Sequence, residues 1–70
     1  MNTTLDNAEK WLNDLGIPTE RLAGYLTFKV QYLEPLGISS TEAISELRTA
    51  MSTKRLVGSV IGYEMVVSFI

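Results

Sequence analysis

The chain contains neither cysteine nor histidine, and this absence limits how a domain of 70 residues can be held together. A chain of this length buries only about 60% of the surface that it exposes when unfolded, so small domains often depend on disulfides, metal ions or a partner. Disulfides, and metal sites with thiolate or imidazole ligands, are excluded here. What remains is good apolar packing, for which a hydrophobic content of 46% is sufficient, or association with another chain. We therefore expect one small globular domain over residues 1–70.

The charges and the apolar stretches bound the location and the partners. Six Lys and Arg against eight Asp and Glu give a net charge of −2, whereas nucleic-acid-binding proteins usually carry a basic patch. The net charge therefore disfavours nucleic acid as a partner. No secretion signal is recognisable at the start of the chain. The apolar segment Leu56–Ile70 is too short to span a bilayer and contains Glu64, so we expect a cytoplasmic protein without a membrane span.

Three segments show the apolar spacing of helices. The first helix is predicted to end at Gly16, the second starts at Pro18-Thr19 and ends or kinks near Leu33, before Pro35, and the third runs from about Ser40 to Met51. A Gly followed by an apolar residue ends each of the first two, at Gly16-Ile17 and Gly37-Ile38. The apolar residues of the first helix are Leu5, Ala8, Trp11, Leu12 and Leu15.

The C-terminal segment fits either a hairpin or a helix. As strands, it divides at Gly62 into Arg55–Ile61 and Tyr63–Ile70, with Met65, Val67 and Phe69 on one face. As a helix, it would contain two glycines. We favour the hairpin, which gives a mainly α fold of three short helices with a C-terminal β-hairpin, in the winged-helix-like order α-α-α-β-β. The alternative is an all-α four-helix bundle.

No residue pattern indicates catalysis. Ser-His and Cys-His nucleophiles are excluded by composition, and the five glycines form no phosphate-binding motif. Glu42 and Glu46 lie four residues apart on the polar face of the third helix, where charges are usually solvated. We predict that the protein is not an enzyme and that it uses neither a cofactor nor a metal ion.

Aromatic residues of the predicted second helix are the candidate contact surface. Tyr25, Phe28 and Tyr32 form a stripe beside the leucines, so that apolar residues cover more than one side of that helix. Aromatic side chains are enriched at protein interfaces. We therefore predict a non-catalytic protein-interaction module, such as a small adaptor, inhibitor or regulatory subunit, that binds a protein partner or itself and is a homodimer.

A second hypothesis comes from the segment Leu36–Leu47. It resembles the turn and recognition helix of helix-turn-helix transcriptional regulators, in which the second helix enters the major groove of DNA. This resemblance implies a DNA-binding regulator that contacts bases and phosphates through Ser40, Thr41, Ser45 and Arg48. Peripheral membrane attachment through Leu56–Ile70 is a third alternative.

Overall fold

In the computed structural model, which describes residues 3–70, two helices lie on one side of a four-stranded antiparallel sheet. The chain runs through two successive helix-strand-strand units, joined by a short 3-10 helix. The second strands of the two units pair with each other, so the strand order is β1-β2-β4-β3. The elements are α1 (Thr3–Asp14), β1 (Glu20–Leu22), β2 (Tyr25–Lys29), the 3-10 helix (Val30–Leu36), α2 (Ser40–Ala50), β3 (Leu56–Ile61) and β4 (Glu64–Phe69).

The first helix forms as predicted. Leu5, Ala8 and Leu12 of α1 are fully buried because their three- and four-residue spacing places them on the face that packs on β2 and β4. The chain leaves the helix through Gly16, whose φ of +86° lies in the left-handed region that favours glycine. Ile17 then donates its backbone N–H to the Leu12 carbonyl and is buried in the core.

The prediction of a long second helix is wrong. Residues 20–29 form the hairpin β1–β2, in which Leu26 and Phe28 point into the core while Tyr25 and Lys29 point away from it. The turn between the strands contains Gly24, whose φ is +85°. Only Val30–Leu36 is helical, as a 3-10 helix that tolerates Pro35 and ends at Gly37.

The third predicted helix and the C-terminal hairpin are both present. Ser39 and Glu42 form the capping box of α2, with reciprocal hydrogen bonds of 3.1 and 3.2 Å. Strands β3 and β4 pair around the turn at Gly62-Tyr63. Because β1 and β2 precede α2, however, the fold is α+β, and both the winged-helix-like order α-α-α-β-β and the four-helix bundle are corrected by the structure.

One apolar core lies between the two helices and the sheet. Phe28 is 2% exposed, and Trp11, Tyr32 and Phe69 pack against the edge of the core. Within residues 3–70, no helix combines the length and the apolar character needed to cross a membrane. The largest side chains that are fully buried are Leu5, Leu12, Ile17, Leu26, Leu47, Leu56 and Val67.

Candidate functional site

Both α1 and α2 pack on one face of the sheet, and we call the opposite face the open face. Most of its side chains are exposed or half-buried, whereas Thr27 at its centre is 7% exposed. Strand pairing aligns one row of side chains across all four strands of this face. Leu22 and Tyr25 in this row are each 37% exposed, and Val57 is half-buried. The row consists of Leu22, Tyr25, Ser68 and Val57.

Two further apolar residues lie beside this row, nearer the β3–β4 turn. Val66 of β4 and Ile61 of β3 lie on the same face, and Ile61 is 66% exposed. Charged residues border this corner on the β4 side, since Glu64 lies opposite Ile61 in the β3–β4 pair and opposite Lys29 in the β2–β4 pair, and Glu20 is on β1. The open face therefore combines an apolar patch with a charged border.

The three aromatic residues predicted as a contact surface do not form one. Tyr25 lies on the open face, but Phe28 points to the other side of the sheet and is buried in the core. Tyr32, in the 3-10 helix, packs partly against the core and borders a shallow cavity of about 190 Å³ together with Thr27 and Glu64. Of these three residues, only Tyr25 has an exposed side chain on the surface of the sheet.

The residues that accompany Tyr25 on the open face were not identified from the sequence. The sequence pattern places Leu22 in the predicted second helix, and Val57, Ile61 and Val66 fall within the apolar segment Leu56–Ile70. The alternation of Tyr25, Thr27 and Lys29 with Leu26 and Phe28 was the available signal, because residues two apart in a strand share one face.

The two edges of the sheet differ in how they are protected. β1 is only three residues long and contains Glu20 and Arg21. The Arg21 guanidinium is 3.6 Å from the Asp6 carboxylate and donates to the backbone carbonyls of Leu22 and Tyr25. Short strands and charged side chains are the usual protection of a sheet edge against pairing with another chain.

β3, at the other edge, lacks this protection over most of its length. Its six residues include neither a charged residue nor proline, and Val60 is 48% exposed. The Ile70 N–H donates to the Arg55 carbonyl, 2.8 Å away, so this pair is hydrogen-bonded across the hairpin. Because hydrogen-bonded positions alternate in antiparallel pairs, the backbone groups of Gly58 and Val60 point outward, away from β4.

A cleft of about 390 Å³ runs between α2 and this outer edge of β3. Gly58 makes the close approach of α2 possible, because a Cβ at this position would lie 3.0 Å from the Ile44 Cδ1 and from the Met65 Sδ. Arg48 reaches along the cleft, and its Nε donates a hydrogen bond to the Leu56 carbonyl.

The four residues implied by the helix-turn-helix resemblance are all on α2, but the helix that should precede the turn is replaced by β1, β2 and the 3-10 helix. Thr41 and Ser45 are exposed, and Ser40 is half-buried. The Arg48 Nε donates a hydrogen bond to the Leu56 carbonyl. The arrangement of two helices that places a recognition helix in the major groove is not present in residues 3–70.

A second cleft, of about 630 Å³, lies beside the C-terminal end of α2. Hydroxyl groups and the side chain of Lys54 border it, and such groups can bind an anion. The C-terminal end of a helix carries a partial negative charge, which opposes an anion at this position. The lining residues are Ser45, Arg48, Thr49, Ser52, Thr53 and Lys54.

No group of three or more Asp and Glu side chains in residues 3–70 is placed so that it could hold a metal ion. Comparison of the chain with protein families, curated proteins and solved structures finds no match. The function is therefore argued from the geometry of the sheet.

Proposed function

We propose that this protein is a non-catalytic protein-interaction module that binds a partner protein through the open face of its sheet. The observation that carries the proposal is the row Leu22, Tyr25, Ser68 and Val57, which extends across four strands without a helix over it. Contiguous exposed apolar patches often mark protein interfaces.

Tyr25 is the residue that we expect to contribute most to binding. It lies opposite Leu22 in the β1–β2 pair and opposite Ser68 in the β2–β4 pair, so it occupies a central position in the row. A tyrosine combines a large apolar ring with a hydroxyl that can form a hydrogen bond, and it is one of the residues most enriched at interface centres.

The composition of the open face defines the chemistry of the partner. Its apolar corner, which includes Ile61 and Val66, favours a partner with an apolar surface. Glu20, Lys29 and Glu64 at the border contribute one net negative charge, so a partner with a weakly basic rim is favoured. The function is stoichiometric binding, as in an adaptor, an inhibitor or a regulatory subunit.

The test begins with a photo-cross-linking amino acid, p-benzoylphenylalanine, placed at Tyr25 in the cells that produce the protein. The matched control places it at Tyr63, which is 84% exposed but lies in the β3–β4 turn and not on the open face. A partner that is cross-linked from position 25 and not from position 63 is then identified, purified and titrated with the unlabelled protein.

We expect Tyr25→Ala to weaken binding of that partner about 30-fold, which corresponds to about 2 kcal/mol for a residue at an interface centre. Tyr63→Ala should bind like the unaltered protein, and circular dichroism should show that both variants are folded. Failure to cross-link any protein from position 25, or equal affinities of the two variants, would overturn the proposal.

A further inference from the structure

We infer that two copies of this chain associate through their β3 strands and form one continuous eight-stranded antiparallel sheet. The starting observation is the contrast between the two edges: β1 is three residues long and carries Glu20 and Arg21, whereas the uncharged six-residue β3 presents outward backbone groups at Gly58 and Val60. Pairing of two β3 strands leaves only the protected β1 strands at the ends, so assembly stops at the dimer. The inference concerns the sheet edge and does not depend on the proposed function of the open face.

Arg48 determines the register of this pairing. A twofold axis at Gly58 would require the Leu56 carbonyl to accept a hydrogen bond from Val60 of the second copy. The Leu56 carbonyl already accepts one from the Arg48 Nε at 2.6 Å. A twofold axis at Ser59 uses only the outward N–H and C=O groups of Gly58 and Val60, and it forms four intermolecular hydrogen bonds.

The side chains of β3 are complementary to themselves in the register centred on Ser59. On the open face, Val57 of each copy lies opposite Ile61 of the other, which brings two exposed apolar pairs together. On the helix side, Val60 of each copy lies opposite Gly58 of the other. The cleft of about 390 Å³ between α2 and β3 borders Gly58 on this side of the sheet.

β3 itself carries no charge, so its antiparallel pairing with a second copy places no like charges opposite each other.

Such a dimer would extend the open face from one chain to the next. The apolar corner formed by Val57, Ile61 and Val66 lies next to β3, so the corners of two copies meet at the twofold axis. The resulting apolar surface is continuous across the dimer, with Tyr25 on both sides of it.

Because the chain has no cysteine, single cysteine variants test the register directly. In the inferred dimer, Ser59→Cys places two thiols at a closely spaced non-hydrogen-bonded pair, which suits a disulfide. The control is Ile61→Cys, on the same face of the same strand, whose two thiols would be about 13 Å apart along the sheet. We expect Ser59→Cys to form the disulfide dimer at least an order of magnitude faster than Ile61→Cys under mild oxidation; equal rates would overturn the register.

The association itself is measured by sedimentation at micromolar concentration. The unaltered protein should sediment at twice the chain mass of 7.8 kDa. Val60→Pro removes an outward N–H and leaves the β3–β4 hydrogen bonds intact, so it should be a folded monomer, whereas Val60→Thr keeps the N–H and should remain a dimer. An unaltered protein that sediments as a monomer, or a Val60→Pro variant that is a folded dimer, would overturn the inference.

Discussion

The Arg48 side chain crosses from α2 to the edge of β3, where its Nε lies 2.6 Å from the Leu56 carbonyl oxygen. This hydrogen bond joins the second helix to the strand that lies beneath it and satisfies a backbone acceptor that no neighbouring strand can reach. It also covers one end of an otherwise open sheet edge. The same side chain thus contributes to stability and limits how β3 can pair.

Replacement of Arg48 should therefore affect folding. Arg48→Met keeps much of the apolar stem but leaves the Leu56 carbonyl without its charged donor, and hydrogen bonds of this kind contribute about 1.5–3 kcal/mol. We expect the free energy of unfolding, measured by urea denaturation, to fall by that amount. Glu46→Gln, an exposed change on the same helix, serves as the control and should change stability by less than about 0.5 kcal/mol. Equal stabilities of the two variants would show that the hydrogen bond is not formed in solution.

The close packing of α2 on β3 predicts that Gly58 does not tolerate a side chain. Gly58→Ala places a methyl group 3.0 Å from the Ile44 Cδ1 and the Met65 Sδ, and overpacking of this kind costs about 1–3 kcal/mol. Ile44→Val removes the Cδ1 atom. The double variant should therefore be more stable than the sum of the single changes predicts, as determined by a double-mutant cycle in urea. Strict additivity would contradict the contact.

Gly37 ends the 3-10 helix with φ 68° and ψ 25°, in the left-handed region. Valine is strained in this conformation, so Gly37→Val should lower the free energy of unfolding by about 1–3 kcal/mol. Asparagine adopts the left-handed region more readily, so Gly37→Asn should lose clearly less stability than Gly37→Val. Thermal unfolding of the two variants is the comparison, and indistinguishable melting temperatures would refute the assigned role of Gly37.

The opposite orientations of Tyr25 and Phe28 predict opposite effects of truncation. Phe28→Ala removes a ring that is 2% exposed and should cost about 3–5 kcal/mol of stability. Tyr25→Ala removes a ring on the open face and should cost much less, while the variant remains folded. Chemical denaturation measures both changes. A Tyr25→Ala variant that is as unstable as Phe28→Ala would place Tyr25 in a covered position.

The sequence was sufficient to predict those elements whose apolar spacing admits one interpretation. In α1, the step from Leu5 to Ala8 is three residues, which moves a strand side chain to the other face but keeps a helix residue on the same face. The division of the C-terminal segment at Gly62 is likewise a local signal. These elements are all present in the structure.

The prediction of the second helix is wrong because its apolar spacing does not distinguish a helix from a hairpin. Leu22, Leu26 and Val30 are spaced by four residues, as on one face of a helix. In the structure they lie on β1, on β2 and at the start of the 3-10 helix, and Leu22 and Leu26 point to opposite faces of the sheet. The hairpin forms because β2 pairs with β4, more than thirty residues away, where Leu26 meets Val67. The alternation of residues 25–29 indicates a strand, but it does not show which distant strand β2 pairs with.

The candidate surface was predictable only where it depended on residue type. Tyr25 was selected as an aromatic residue and lies on the open face, but the same criterion selected Phe28, which is buried. Which of the two side chains is exposed depends on the alternation of a strand and therefore on the fold. The free edge of β3 follows from the strand order alone and could not be inferred without it.

The most direct test of the central claim, that one face of the sheet is open, compares Val66→Cys with Val67→Cys in the cysteine-free chain. These neighbouring residues of β4 point to opposite faces: Val66 lies on the open face, and Val67 is fully buried beneath the helices. The measurement is the rate at which a thiol reagent modifies each folded variant. The fold described here predicts rapid modification at position 66 and modification at position 67 only as fast as the protein unfolds. Protection of position 66 to the same extent as position 67, in a folded monomer, would contradict it.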